Sequence, residues 1–238
     1  MTKTINLNGR TVSYELEIKN VKNINLRIKP DQTIYISANS TIPQQIIDEL
    51  LVSKSAYILR ALDHYEEVAK YAPKPKQYVD GESFRILGHE YRLQVRKHSK
   101  NSVRFDGSYI ILSVRDTDNF DLKQRVMNRW LKQKCVETVQ SVCEAVYPKF
   151  QKYGVSFPEI KYRNMISRWG SCQPKRGVLT FNLSLVEEPV ACIEYVVVHE
   201  FVHFLQPNHS KKFYQQLSVF MPDWSERKHL LEKQGILL

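Results

Sequence analysis

The sequence predicts a mixed α+β fold, β-rich toward the N-terminus and helical toward the C-terminus. Two stretches of strand-like texture and one long helical pattern carry that expectation. Residues 11–38 and 84–114 hold short runs of β-branched and aromatic residues with partial alternation, separated by turn residues. Residues 121–153 instead repeat apolar side chains at helical spacing.

In chain order, TVSYELEI, INLRI and TIYISA read as strands of a small opening sheet, with Pro30-Asp31 turning the chain between the last two. From Pro43 to Tyr71, Ile46, Ile47, Leu50, Leu51, Ile58, Leu59 and Leu62 recur at helical spacing and predict one long amphipathic helix. APKPKQYVDG, with two prolines and a turn pair, marks a boundary, so residues 1–75 form a first domain. FRIL, YRLQV, SVRF and YIILSV, punctuated by Gly88, Lys100-Asn101 and Asp106-Gly107, predict an antiparallel β meander over 76–120. Residues 121–238 form the last domain. It opens on a helix carrying Val126, Trp130, Val136, Val139, Val142, Val146 and Phe150 on related faces, ended by Gly154. FPEIKYR and VLTFNLSL read as strands, and Pro189 opens a helix that must stop before Pro207. Helical patterns over 210–220 and 225–234 close the chain, and no internal repeat shows.

With 238 residues, 42% hydrophobic and 11% aromatic, the chain can bury real cores. MTKTINLNGR lacks the apolar run of a secretion signal, and no later stretch is apolar over the roughly 20 residues that span a bilayer. The expectation is a soluble, cytoplasmic protein. Cys135, Cys143, Cys172 and Cys192 lie far apart with no C-x-x-C pair, which argues against a zinc ribbon or a disulfide framework and predicts reduced, mostly buried thiols. The formal charge of +10 is spread over both halves, with no basic tail. It is compatible with acidic or nucleic-acid partners and equally with a merely basic surface.

The chemistry lies in VVVHEFVHFL. His199 and His203, four residues apart, project from one helix face, the spacing two imidazoles need to hold one metal ion. Glu200 stands next to the first histidine, within reach of water at the metal without being a ligand. The alternative is a plain buried helix whose histidines satisfy backbone groups. Against it, Val196, Val197, Val198, Phe201, Val202, Phe204 and Leu205 make the helix apolar nearly all round, and a carboxylate in such a place is costly unless a metal and water compensate. Pro207-Asn208 then turns the chain and delivers His209 ten residues after His199. Three histidines leave the fourth tetrahedral position open, as in a catalytic zinc site. Glu226, 23 residues after His203, competes as third ligand; the short turn favours His209. The residues point to one zinc ion and a hydrolase with Glu200 as general base.

SRWGSC at 167–172, LTFNLSL, PVACIEYVVVHEFVHF and NHSKKF at 208–213 together resemble the YgjP-like (WLM) metallopeptidase family, related to SprT-type zinc proteases. The segment GESFRILGHEYRL and the order of elements extend the likeness over most of the chain. The resemblance implies a β-rich N-terminal region followed by a zincin-like catalytic domain with an HExxH active-site helix. It also implies peptide or protein substrates and zinc carried by His199, His203 and His209. Phe201 and Gln206 depart from the aliphatic or small residues usual there, which bears on packing alone.

Around this centre, VLTFNLSL is expected to offer a substrate-pairing edge, an ordinary core strand being the alternative, and Asn182 within it to order a loop or a ligand. Arg168, Tyr162 and Tyr214 are the candidates for stabilising an oxyanion, and Trp169 belongs to the family-like run without a defined job. Met221 reads as core packing or a support beneath the metal. Residues 160–186 contain no acidic side chain but hold Lys161, Arg163, Arg168, Lys175 and Arg176 beside Tyr162 and Trp169. A second reading is therefore a nucleic-acid-associated protein acting on DNA-bound proteins, with a conditional zinc site.

Overall fold

Alternation and turn chemistry build two sheets of one design, and the chain divides between them. In the computed structural model, which describes residues 2–29, 31–70, 75–165 and 167–234, the two units are Met1–Lys74 and Pro75–Leu237. The first holds β1 (Thr2–Leu7), β2 (Arg10–Ile18), β3 (Asn25–Ile28) and β4 (Ile34–Ala38) in the order β1-β2-β4-β3. Its outer pairs are antiparallel and the central β2–β4 pair is parallel. Helices α1 (Gln44–Ser53) and α2 (Ser55–Lys70) add Ile47, Leu51, Ile58 and Leu62 to a core with Tyr14, Leu16, Ile34 and Ile36.

Two sequence expectations change here. β1 is a strand the propensity reading lacks, although TKTINL alternates exposed and partly buried residues. The single helix expected over 43–71 is two: Ser53 Oγ donates to the Leu50 carbonyl (2.8 Å) and Lys54 leaves helical geometry at ψ 8°, which interrupts the helix there. Pro30 of the expected turn, and residues 71–74 of the expected boundary and helix end, lie outside the described residues.

The second unit begins with β5 (Ser83–Ile86), β6 (His89–Lys97), β7 (Ser102–Asp106) and β8 (Tyr109–Val114), again ordered β5-β6-β8-β7. The pairing directions also repeat, with β6–β8 parallel. These strands are therefore not the antiparallel meander that their turns suggest. Turns specify hairpins, whereas the choice of which hairpin strand meets β6 follows burial: β8 carries Ile110, Ile111 and Leu112 inside, and β7 exposes Ser102, Arg104 and Asp106 at the edge. The repeated topology is invisible as a sequence repeat.

Beyond lie α3 (Phe120–Val146), α4 (Pro148–Gln151), β9 (Glu159–Arg163), β10 (Gly170–Gln173), β11 (Val178–Asn182), α5 (Val190–Val202), α6 (Lys211–Phe220) and α7 (Trp224–Gln234). The Asn119 side chain caps α3 by accepting from Leu122 N (2.9 Å), and Pro148, lacking an N–H, separates α3 from α4 where one continuous helix is expected. VLTFNLSL is a strand only to Asn182, whose side chain accepts from Ser184 N and starts a 3-10 turn over Leu183–Glu187. Leu93, Ile110 and Leu112 share one core with Met127, Val139, Leu179, Phe181, Val197 and Phe201, so 76–120 and 121–234 pack as one body. Among the described residues no helix is long and apolar enough to cross a membrane.

Candidate metal centre

β-branched residues are mediocre helix formers, yet α5 runs through three consecutive valines because Val197, Val198, Phe201 and Val202 are fully buried. Burial worth roughly 1.5–3 kcal/mol per side chain outweighs propensity differences of about 0.5 kcal/mol. Pro189 precedes α5 and its carbonyl accepts from Cys192 N (2.8 Å) and Ile193 N (3.1 Å). His203 is the C-cap, and the chain leaves the helix before Pro207.

This stiff element presents His199, Glu200 and His203, and the following turn brings up His209. The ligand-capable atoms of His199, His203 and His209 lie within 4.8 Å of one another, and Nε2 of His199 is 2.9 Å from Nε2 of His209. Imidazole nitrogens on a tetrahedral zinc sit about 3.3 Å apart, so this donor set fits one such ion. The Nδ1 of His203 faces the Gln206 carbonyl (3.1 Å), which places the ring proton there and leaves Nε2 free as a donor to metal. Phe213 of α6 packs against all three imidazoles, with ring centroids 4.8, 4.7 and 4.8 Å from His199, His203 and His209.

Electrostatics agree with the geometry. Burial, then the neighbouring His203 and His209, pushes the His199 imidazole down to about 3, keeping it neutral. Burial also lowers His203, against the pull of the Gln206 carbonyl. The Glu200 carboxyl is pushed up to about 8 by burial, with Arg168 pulling the other way. Among the described residues, Glu200 Oε2 and His199 Nδ1 are buried without a hydrogen-bond partner. A buried carboxyl oxygen left unpaired beside three imidazoles matches a site completed by a cation and water.

A cleft of about 550 Å³ opens over these groups, lined also by Arg168, Trp169, Cys172, Tyr195 and Pro207. Gly170 permits a close approach: a Cβ there would stand 2.7 Å from Cγ and Oε1 of Glu200. Asn182, fully buried, ties down the wall. Its amide donates to the Met165 (2.8 Å) and Arg168 (3.0 Å) carbonyls, its Oδ1 accepts from Met165 N (3.2 Å), and its backbone N–H reaches Trp169 O (2.8 Å).

Several sequence-based assignments move. The sheet order is β10-β11-β9, with β11 buried throughout between two partners, so VLTFNLSL has no free edge; β10 is the edge strand beside the cleft. The Tyr162 hydroxyl donates to the Val136 carbonyl of α3 (3.4 Å), which engages it away from the cleft residues. Tyr214 stands beside His209, ring centroids 6.3 Å apart. Met221 belongs to the core, and Glu226, exposed on α7, is outside the histidine group. Of the basic stretch, Lys161 pairs with Glu159 (3.1 Å) and Lys175 and Arg176 occupy an exposed 3-10 turn. The sequence reading missed Phe213 and Tyr195. Tyr195 had a signal, since 195, 199 and 203 form one i, i+4 row; Phe213 had none beyond its place in NHSKKF.

A stiff helix, a returning turn and a buried carboxyl beside an edge strand together gather three histidines and Glu200 at the lining of an open cleft. The chain belongs to the YgjP-like metallopeptidase family, whose domain matches residues 22–234. Similar solved structures are the metallopeptidase zymogens abylysin of Pyrococcus abyssi and jannalysin of Methanocaldococcus jannaschii. Each is 19% identical with a TM-score of 0.34, over 40% of this chain and 93% and 94% of theirs. No curated protein matches the chain.

Proposed function

We propose that this chain is a zinc peptidase of zincin-like design, with His199, His203 and His209 as the metal ligands and Glu200 as the proton carrier. The observation that supports it most is the three imidazoles gathered within 4.8 Å beside the unpaired, buried Glu200 carboxylate. Zinc held by these residues would acidify water and polarise a scissile carbonyl. Glu200 takes the proton from the attacking water as the C–O bond forms, and hands it to the amine nitrogen as the C–N bond breaks. Arg168, on the cleft wall, is placed to steady developing negative charge and favours the ionised form of Glu200 against the opposing effect of burial. β10 is the edge along which an extended peptide pairs.

Glu200→Gln keeps near-stoichiometric zinc by elemental mass spectrometry and loses about 10²–10⁴-fold of peptide hydrolysis; a fully active variant sinks the role of Glu200. His209→Ala loses zinc affinity by more than the roughly 10–100-fold that a supporting residue costs. Unchanged zinc in that variant, with loss in Glu226→Ala, would move the third ligand to Glu226.

A further inference from the structure

Away from the metal centre, β7 and α3 enclose a second cavity of about 490 Å³. Its floor is apolar, from Val103, Leu122, Val126 and Trp130, and its rim carries Arg125 and Arg129 one helical turn apart. Among the described residues no acidic side chain lines it. Among the described residues Arg129 makes no hydrogen bond or ion pair, the Trp130 indole N–H has no partner, and Arg125 reaches only the Asp121 carbonyl of its own helix (3.3 Å). The cavity therefore offers several donors and suits a ligand rich in acceptors.

β7 adds a second requirement. It is the outermost strand of its sheet, mostly exposed, and beyond its ladder with β8 no hydrogen bond involves Ser102–Asp106 among the described residues. An edge strand of an antiparallel pair turns the N–H and C=O of alternate residues outward. The two-residue turn Gly107-Ser108 makes Asp106–Tyr109 the closing pair, so Val103 and Phe105 carry the outward groups. A groove with a free strand on one wall and a helix on the other is how extended peptides are captured by strand addition.

We infer that the β7–α3 groove binds an extended acidic peptide segment as a fifth strand, with carboxylates on Arg125 and Arg129. The spacing matches: side chains two apart on a strand lie about 6.6 Å apart, and those one turn apart on a helix about 6 Å. A nucleic acid could satisfy the arginines and stack a base on Trp130, but it would leave the free strand edge unused.

The test is fluorescence anisotropy of the full chain carrying Glu200→Gln, with the end-blocked, labelled peptide Val-Thr-Glu-Thr-Glu-Thr-Val; the readout is binding and does not depend on the proposed catalytic role of Glu200. Saturable binding is expected. It should weaken at least about tenfold in R125E/R129E and on replacing both glutamates by threonine. N-methylation of one alternate set of peptide amides should abolish binding while the other set is tolerated. Equal binding by R125E/R129E, indifference to both N-methyl sets, or no binding at all overturns the proposal. Tighter binding of a short oligothymidylate, lost in the same variant, overturns it in favour of nucleic acid.

Discussion

The two four-stranded sheets repeat one strand order and one set of pairing directions, yet their first turns are held in opposite ways. In the N-terminal unit the turn is Asn8-Gly9, with φ 50° and 88°. Both residue types accept the left-handed region, and Gly9 N–H donates to Asn6 Oδ1 (2.9 Å), so the turn is satisfied locally. In the second unit the same geometry falls on Leu87-Gly88, φ 50° and 84°. Leucine resists that conformation. Here the turn is held from outside: Leu87 N–H donates to Val186 O (2.7 Å) and Gly88 N–H to Glu187 O (3.1 Å), just ahead of the helix that bears the histidines. One backbone shape can thus be specified by residue type or imposed by tertiary contacts, and the imposed version ties its sheet to the segment that leads into the histidine-bearing helix.

Gly88→Ala would separate the two turns most. Left-handed strain and a Cβ 2.8 Å from Pro189 Cγ should together cost about 2–4 kcal/mol and lower zinc loading, whereas Gly9→Ala, facing open space, should cost only about 1–2 kcal/mol and leave zinc untouched. Urea denaturation with metal analysis measures both, and equal losses would mean that the docking of the second turn is immaterial. Next is the three-stranded sheet that only the second unit carries. Asn182→Ala leaves the Met165 and Arg168 carbonyls without their amide donor, which should cost about 1–3 kcal/mol in denaturant titration and weaken zinc binding through the cleft wall. The smallest effect is expected from removing the N-terminal unit. Its buried residues form their own cluster, so a chain starting at Pro75 should bind zinc as the full chain does; a zinc-free product would show that the units depend on each other.

Much of the fold was legible where the signal is local. The β-branched, apolar run YIILSV and the helical spacing around Val139 identify their elements correctly, because burial selects these residue types and, along a helix, imposes its period on them. Breaks were less legible. Ser53 and Pro148 each interrupt a helix by a single hydrogen bond rearranged or withheld, too brief a signal against a continuing apolar period. The parallel β6–β8 pair was missed for another reason: strand propensity says that a segment is extended, not which neighbour it meets.

The proposed metal centre divides in the same way. By itself the sequence determined that His199, Glu200 and His203 share a helix, since a 3.6-residue period fixes their directions, and that Pro207-Asn208 returns His209 toward them. Tertiary structure alone decided that Phe213 floors all three imidazoles and that Gly170 sits against Glu200. It also decided that β10 rather than β11 takes the cleft edge. Those are meetings between residues distant in the chain, set by which surfaces bury one another, and no local period records them.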